Sequence, residues 1–140
     1  MKHLIFAFLI FAFAACGGSG NNKQQVAIPP GADLKADILI QRTDGARSIE
    51  VTFYISTPTA PGVKDAPPIE PVELQEVRFN DTDLTKSTNE AGRTIYTGQN
   101  LPLRAENAIS GKLNGQVYEA RAIPQTTLPS KSVTSIMAPK

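Results

Sequence analysis

The sequence predicts an all-β fold, a single antiparallel β-sandwich of six or seven short strands. Residues 49–55 alternate strictly between apolar and polar side chains, which is typical of a strand with one buried face. Asp44-Gly45 and Asn114-Gly115 each separate two strand-like runs, as the tight turn of a β-hairpin does. No stretch after Cys16 carries apolar residues at helical spacing, so no long helix is expected there.

Two hairpins are the best-marked elements. The first joins residues 37–41 to residues 49–55 across the Asp44-Gly45 turn. The second joins residues 108–113 to residues 116–123, and Pro124 ends it because proline has no N–H to donate to a ladder.

Three further segments complete the predicted sandwich. Residues 93–97 form one strand, and residues 133–137 could supply a seventh. Residues 72–79 hold four apolar side chains in two different parities, Val72 and Leu74 before Gln75-Glu76 and Val77 and Phe79 after it. One extra residue at this point, a β-bulge, would bring all four side chains to a common face.

The first 15 residues are typical of an export signal. A basic start is followed by twelve uninterrupted apolar residues at positions 4–15. As a helix this run would rise roughly 18 Å, which is too short for a bilayer core of roughly 30 Å. We therefore expect residues 1–15 to be a helical signal peptide.

Cys16, the only cysteine, directly follows the apolar run. Phe13-Ala14-Ala15-Cys16 resembles the lipobox of bacterial lipoproteins, although that family usually has Leu where this chain has Phe13. The resemblance implies acyl chains on Cys16, cleavage before it, and localisation in the bacterial envelope. Gly17 resembles the default outer-membrane sorting signal of Gram-negative lipoproteins, whereas a Gram-positive host would keep the protein on its plasma membrane. An ordinary secretory signal, cleaved near Ala15 to leave a free thiol, is the alternative.

The predicted organisation behind the signal has three parts. Residues 16–33 are expected to be the lipidated cysteine and a flexible tether, because Gly, Ser, Asn and Gln dominate there without apolar periodicity. Residues 34–125 form the β-sandwich domain. Residues 126–140 form a C-terminal tail that could provide one edge strand.

A second resemblance is based on short segments of the domain. They are Val77-Arg78-Phe79-Asn80, Leu84, Thr94-Ile95-Tyr96, Leu113-Asn114-Gly115-Gln116-Val117-Tyr118 and Pro124. Together they resemble the immunoglobulin-like modules common in bacterial envelope lipoproteins, over about residues 36–124. The cysteine pair and buried Trp of true immunoglobulin domains are missing, and such a resemblance implies a fold without an activity.

Composition excludes several classes of function. Beyond residue 15 the chain has 13 basic and 13 acidic residues, so charge gives no argument for nucleic-acid binding. The same part of the chain has no His, which excludes a Ser/His/Asp triad and an HExxH site. We expect no cofactor, no bound metal and no enzymatic activity.

Oxygen-rich clusters have two interpretations each. Asn80-Asp81-Thr82-Asp83 could offer ligands to Ca²⁺, but the expected loop Gly and Glu are missing, and a turn after the preceding strand is favoured. The carboxylate pairs Glu73 with Glu76 and Glu106 with Glu119 could act as acid and base in a glycosidase. Outward partners of Lys and Arg are the favoured interpretation, so no catalytic residue is assigned.

Two functional hypotheses follow. The first is a structural or protein-interaction module at a membrane, in which the Pro-rich residues 58–71, expected to stay outside any ladder, project toward an envelope protein or polysaccharide. The second is a small-ligand or carbohydrate-binding protein. Tyr54, expected to point outward, could then join Tyr96 and Tyr118 in a sugar-stacking platform, although Tyr118 is expected to face inward. A concavity that groups Tyr54 with polar side chains would favour the second hypothesis.

Overall fold

The computed structural model describes residues 25–43, 46–64, 69–102, 104–124 and 129–140. These residues contain ten strands and no helix, and every strand pairing is antiparallel. The strands are β1 (Asp33–Thr43), β2 (Ala46–Ser56), β3 (Ile69–Val72), β4 (Gln75–Phe79), β5 (Thr82–Asp83), β6 (Thr85–Thr88), β7 (Thr94–Gln99), β8 (Asn107–Leu113), β9 (Gln116–Ile123) and β10 (Ser130–Pro139). The all-β antiparallel prediction is confirmed. Among the described residues no helix could cross a membrane.

Both predicted hairpins are confirmed by the pairing of their strands. β1 pairs with β2 from Asp33 opposite Ser56 to Thr43 opposite Ala46, and the turn at positions 44–45 lies outside the described residues. β8 pairs with β9 up to Leu113 opposite Gln116. The two turn residues between them, Asn114 and Gly115, have φ angles of 51° and 81°, as a type I′ turn requires.

Gly115→Val should lower the free energy of unfolding by about 1–3 kcal/mol, the usual cost of a strained backbone position. Nothing lies within 4 Å of a Cβ placed on Gly115, so the penalty comes from the positive φ alone. Gly115→Asn is the matched control, because Asn tolerates the left-handed region. Chemical denaturation gives the comparison, and equal midpoints for the Val variant and the parent chain would contradict the turn assignment.

The predicted bulge is present, but residues 72–79 do not form one strand. Val72 ends β3, which pairs with β2, whereas β4 begins at Gln75 and pairs with β8. Within β4 the partners change from Gln75 opposite Lys112 to Arg78 opposite Ser110, so β4 has one residue more than β8 there. The extra residue, Glu76, has a φ angle of 48°. All four apolar side chains of this segment, Val72, Leu74, Val77 and Phe79, are buried as predicted.

The strands form one hydrogen-bonded path in the order β5-β4-β8-β9-β10-β1-β2-β7-β6, with β3 beside β2. The ends of the path, β5 and β6, are separated in the chain by Leu84 alone. The Leu84 N–H donates to the Val77 carbonyl at 2.9 Å, so the sheet curves round into a nearly closed barrel. The prediction of six or seven strands was too low, because the short strands β3, β5 and β6 are mostly exposed and carry no alternating apolar pattern.

The C-terminal tail belongs to the domain, which corrects the predicted boundary at residue 125. β10 pairs with β1 over eight residue pairs and with β9 through Ala138 and Pro139, so it is an interior strand rather than an edge strand. Its sequence conceals this position because Lys131 and Ser135, which alternate on the same side as Met137, are polar. Met137 is its one fully buried side chain.

The predicted tether is also too long. Val26, Ile28 and Ala32 pack against the core, and the Asn114 side chain donates a hydrogen bond to the Val26 carbonyl. Residues 26–32 therefore lie against the domain. The core itself is one cluster to which β1, β2, β4 and β8 contribute most of the side chains.

Candidate ligand-binding cleft

The outer face of the sheet has a break beside β2. Residues 48–51 of β2 pair with β7, and residues 53–56 pair with β3 on the same side, so Thr52 has no partner there. The last residue of β3, Val72, and the first of β7, Thr94, thus meet beside Thr52. A sheet that changes partner in this way leaves a depression at the junction.

A cleft of about 360 Å³ occupies this junction. Its apolar lining comes mainly from β2 and β3, and its polar lining comes from β1, β2, β7 and the segments next to them. The lining residues are Asp37, Thr52, Phe53, Tyr54, Ile69, Pro71, Val72, Glu73, Gly92, Arg93 and Thr94. A concave site with apolar walls and a few converging polar groups is the usual form of a small-molecule site.

Two rows of outward side chains meet at the cleft. Strand register places Lys35 opposite Tyr54 and Tyr54 opposite Pro71, so Tyr54 and Pro71 are direct neighbours on the outer face. Ile69 extends the apolar surface along β3 and is 63% exposed. The parallel row consists of Asp37 opposite Thr52. The apolar surface of Tyr54, Pro71 and Ile69, with Lys35 at its β1 end, therefore lies directly beside a strip of hydroxyl and carboxylate groups.

Asp37 is the acceptor at the centre of the polar row. The Tyr54 hydroxyl donates to Asp37 Oδ1 at 3.1 Å, and Thr134 Oγ1 donates to the same oxygen at 2.6 Å. Burial, and then the neighbouring Asp37 charge, raise the pKa of Tyr54, so this hydroxyl keeps its proton. Both of these donors therefore use the same oxygen of a carboxylate that lines the cleft.

Glu73 is held at the end of the cleft nearest β7. Lys86 Nζ lies 2.6 Å from Glu73 Oε2, and Thr94 Oγ1 donates to Glu73 Oε1 at 2.6 Å. The hydrogen bonds from Lys86 and Thr94 lower the pKa of Glu73. This carboxylate is already neutralised by Lys86 and therefore contributes little free charge to the cleft.

The three tyrosines do not form a shared sugar-stacking platform. Tyr54 points outward as predicted, but Tyr96 is only 3% exposed, and its hydroxyl donates to the Leu74 carbonyl and accepts from the Leu74 N–H. Tyr118 packs against the core. Tyr54 is thus the one tyrosine of the three in the cleft lining.

Asn80-Asp81-Thr82-Asp83 forms a turn, which confirms the favoured interpretation. Phe79 pairs with Thr82 across two residues of positive φ, Asn80 and Asp81. Asp81 pairs with Arg104 at 3.3 Å and Asp83 pairs with Arg78 at 2.7 Å, so the carboxylates do not converge. The described residues contain no group of three or more potential metal-binding side chains.

Three of the four carboxylates considered for acid and base roles are paired with cations, as favoured. Glu73 pairs with Lys86, as described above, and Glu76 pairs with Lys112 at 2.6 Å. Glu119 pairs with Lys140 at 3.0 Å and also with Arg121, and these contacts lower its pKa. Glu106 is exposed. A general acid near neutral pH needs a raised pKa, so the environments of Glu73 and Glu119 act against that role.

Two other sequence expectations have different outcomes. Cys16 and the signal peptide lie outside the described residues.

The expectation that the Pro-rich segment stays outside a ladder is wrong for its last part, because Ile69–Val72 is β3 and Pro71 pairs with Tyr54. β3 pairs with β2 alone, and an edge position tolerates a proline.

Most cleft residues could not have been found from the sequence. Strict alternation in β2 places Thr52 outward together with Tyr54, which was the one available signal. Asp37, Pro71 and Arg93 reach the cleft only through long-range strand pairing. Comparison with known protein families, with curated proteins and with solved structures found no match.

Proposed function

We propose that this chain is a lipid-anchored, non-catalytic binding protein of the bacterial envelope, and that its cleft takes a small polyhydroxylated ligand of the saccharide class. The observation that carries the proposal is the concavity that groups Tyr54 with Asp37, Thr52 and Thr94 on the outer face. Its volume of about 360 Å³ lies at the small end of the range for ligand sites.

The arrangement of the lining supports a saccharide in particular. A pyranose ring has an apolar C–H face and a rim of hydroxyl groups. Tyr54 and Pro71 offer an apolar surface for the ring face, and an aromatic side chain adds packing energy at little entropic cost. The Asp37 carboxylate lines the same cleft, where it can accept a hydrogen bond from a hydroxyl of the rim.

Three further features belong to this proposal. Cation pairing of Glu73, Glu76 and Glu119 supports a binding role over a catalytic one. The immunoglobulin-like sandwich is the finer part of the fold proposal, and the short β9–β10 ladder of only two residue pairs supports it. Anchoring through acyl chains on Cys16 is supported by the lipobox-like sequence before it.

The anchor prediction has a direct test. Mass spectrometry of the membrane fraction should find acyl mass on a peptide that starts at Cys16. Cys16→Ser should release the chain from the membrane or leave its precursor uncleaved, whereas Ser19→Ala in the same segment should change neither. An unmodified mature chain that starts at another residue would contradict this part of the proposal.

Ligand binding should be visible by NMR titration of the full chain in detergent micelles with a panel of disaccharides. We expect amide shifts confined to the cleft lining. Asp37→Asn should weaken binding about tenfold or more, because a hydrogen bond to a charged acceptor is lost. Asp81→Asn, at an exposed carboxylate that does not line the cleft, is the control and should bind normally. Shifts spread over the whole surface, or no shifts with any saccharide, would overturn the ligand assignment.

A protein-interaction module is the second candidate. Val63, Ile69 and Ile136 are large hydrophobic side chains that are more than half exposed. Exposed apolar side chains near an edge strand are a common feature of docking surfaces. A photocrosslinker at position 69 that captures one envelope protein in intact cells, with no capture from exposed position 90, would favour this candidate.

A further inference from the structure

We infer that the saccharide ligand carries an acidic group, which Arg93 recognises at the β7 end of the cleft. This inference rests on the proposed function and assigns the class of its ligand as an acidic saccharide of the uronic type. Arg93 lines the cleft and is exposed. It forms no ion pair with any acidic residue in the described part of the chain.

The backbone of Arg93 is held in place before any ligand binds. The N–H of Arg93 donates to Asn89 Oδ1 at 2.9 Å, and the carbonyl of Arg93 accepts from the Asn89 N–H at 2.9 Å. Asn89 also accepts from the Gly92 N–H through its carbonyl. With the backbone of the turn fixed in this way, only the side chain of Arg93 has to be ordered when a ligand binds.

The other charges of the cleft fix the orientation of such a ligand. Asp37 accepts hydrogen bonds from two hydroxyl groups and has no described cation within ion-pair distance, so its negative charge would repel a carboxylate. Glu73 already has its cation in Lys86. Of the residues that line the cleft, Arg93 is therefore the favourable partner for a ligand carboxylate, while sugar hydroxyls are favoured at Asp37. Lys35, opposite Tyr54 on the outer face, donates to Ser56 Oγ and does not line the cleft. An arginine can hold a carboxylate through two parallel hydrogen bonds.

The test compares ligands that differ only in charge. Calorimetry on the full chain in detergent micelles measures binding of oligogalacturonate and of its methyl ester, which keeps the ring and loses the negative charge. We expect the acid to bind about tenfold tighter than the ester, with the difference shrinking as NaCl rises. Arg93→Gln should remove that difference, and Arg93→Lys should restore part of it. Arg42→Gln, an exposed arginine about 17 Å along β1 from Asp37, should leave it unchanged.

The outcomes separate this inference from the proposed function. Equal binding of acid and ester, unchanged by Arg93→Gln, would overturn the acidic-saccharide assignment and leave saccharide binding intact. Tighter binding of an amino sugar oligomer, lost with Asp37→Asn and kept with Arg93→Gln, would also overturn it. No binding of the acid, the ester or any neutral saccharide would overturn the proposed function itself, and this inference with it.

Discussion

Phe79→Ala should lower the free energy of unfolding by about 3–5 kcal/mol, the usual range for removal of a fully buried phenylalanine. Phe79 has no exposed surface and lies in β4, which pairs with both β5 and β8. This loss of free energy has two parts. The first is the hydrophobic stabilisation that burial of the ring provides, and the second is the cost of the cavity that the surrounding side chains cannot fill. For a domain of this size that loss is a large fraction of the total stability.

Urea denaturation followed by circular dichroism measures the effect. If Phe79→Ala does not fold, Phe79→Leu provides the measurement, because it leaves a smaller cavity and should cost less than the Ala variant. Ile69→Ala is the control, since Ile69 is an apolar side chain of comparable size that is mostly exposed. Equal losses for the variants at positions 79 and 69 would contradict the assignment of Phe79 to the centre of the core.

The sequence predicted the elements in which one local pattern decides the structure. The hairpins β1-β2 and β8-β9 combine alternating side chains with a turn dipeptide, and both signals lie within a few residues of each other. The bulge at Glu76 was predictable because Leu74 and Val77 can share a face only if an extra residue lies between them. In each case burial of an apolar side chain leaves one register that satisfies the pattern.

The strands that were missed, such as β6, or expected only as a possible seventh strand, β10, show where such patterns fail. β6 is exposed along its whole length, so it has no alternation, and it is a strand only because β7 offers it hydrogen bonds. β10 has one fully buried side chain among ten residues, and its position follows from β1 and β9, which lie far away in the sequence. Long-range pairing of polar strands leaves little trace in the local sequence.

The cleft was predictable only in part for the same reason. Alternation places Tyr54 outward, and the structure agrees. The depression beside Tyr54 exists because β2 changes partner from β7 to β3 at Thr52, and no local property of β2 indicates that change. Arg93 comes to the cleft through the turn before β7, which the sequence marks only by Gly92.

Asn107 is a buried polar residue that no sequence pattern distinguished. Its Oδ1 accepts from Asn80 Nδ2 at 2.6 Å and from the Arg104 N–H at 2.9 Å. Its Nδ2 donates to the carbonyls of Arg104 and Ile123, each at 3.1 Å. This one amide therefore ties the turn after β4 to both strands of the β8-β9 hairpin.

Asn107→Ala should lower the free energy of unfolding by about 2–4 kcal/mol, because it removes the buried donor to the Ile123 carbonyl and the buried acceptor of the Asn80 amide. The Asn80 amide then keeps only its hydrogen bond to the Pro102 carbonyl as a donor. Urea midpoints give the comparison, with Gln99→Ala, an exposed amide in β7, as the matched control. The double variant with Asn80→Ala should cost less than the sum of the single variants, since both act on one network. Strict additivity, or a cost for Asn107→Ala no larger than that for Gln99→Ala, would show that the network does not couple the turn to the hairpin.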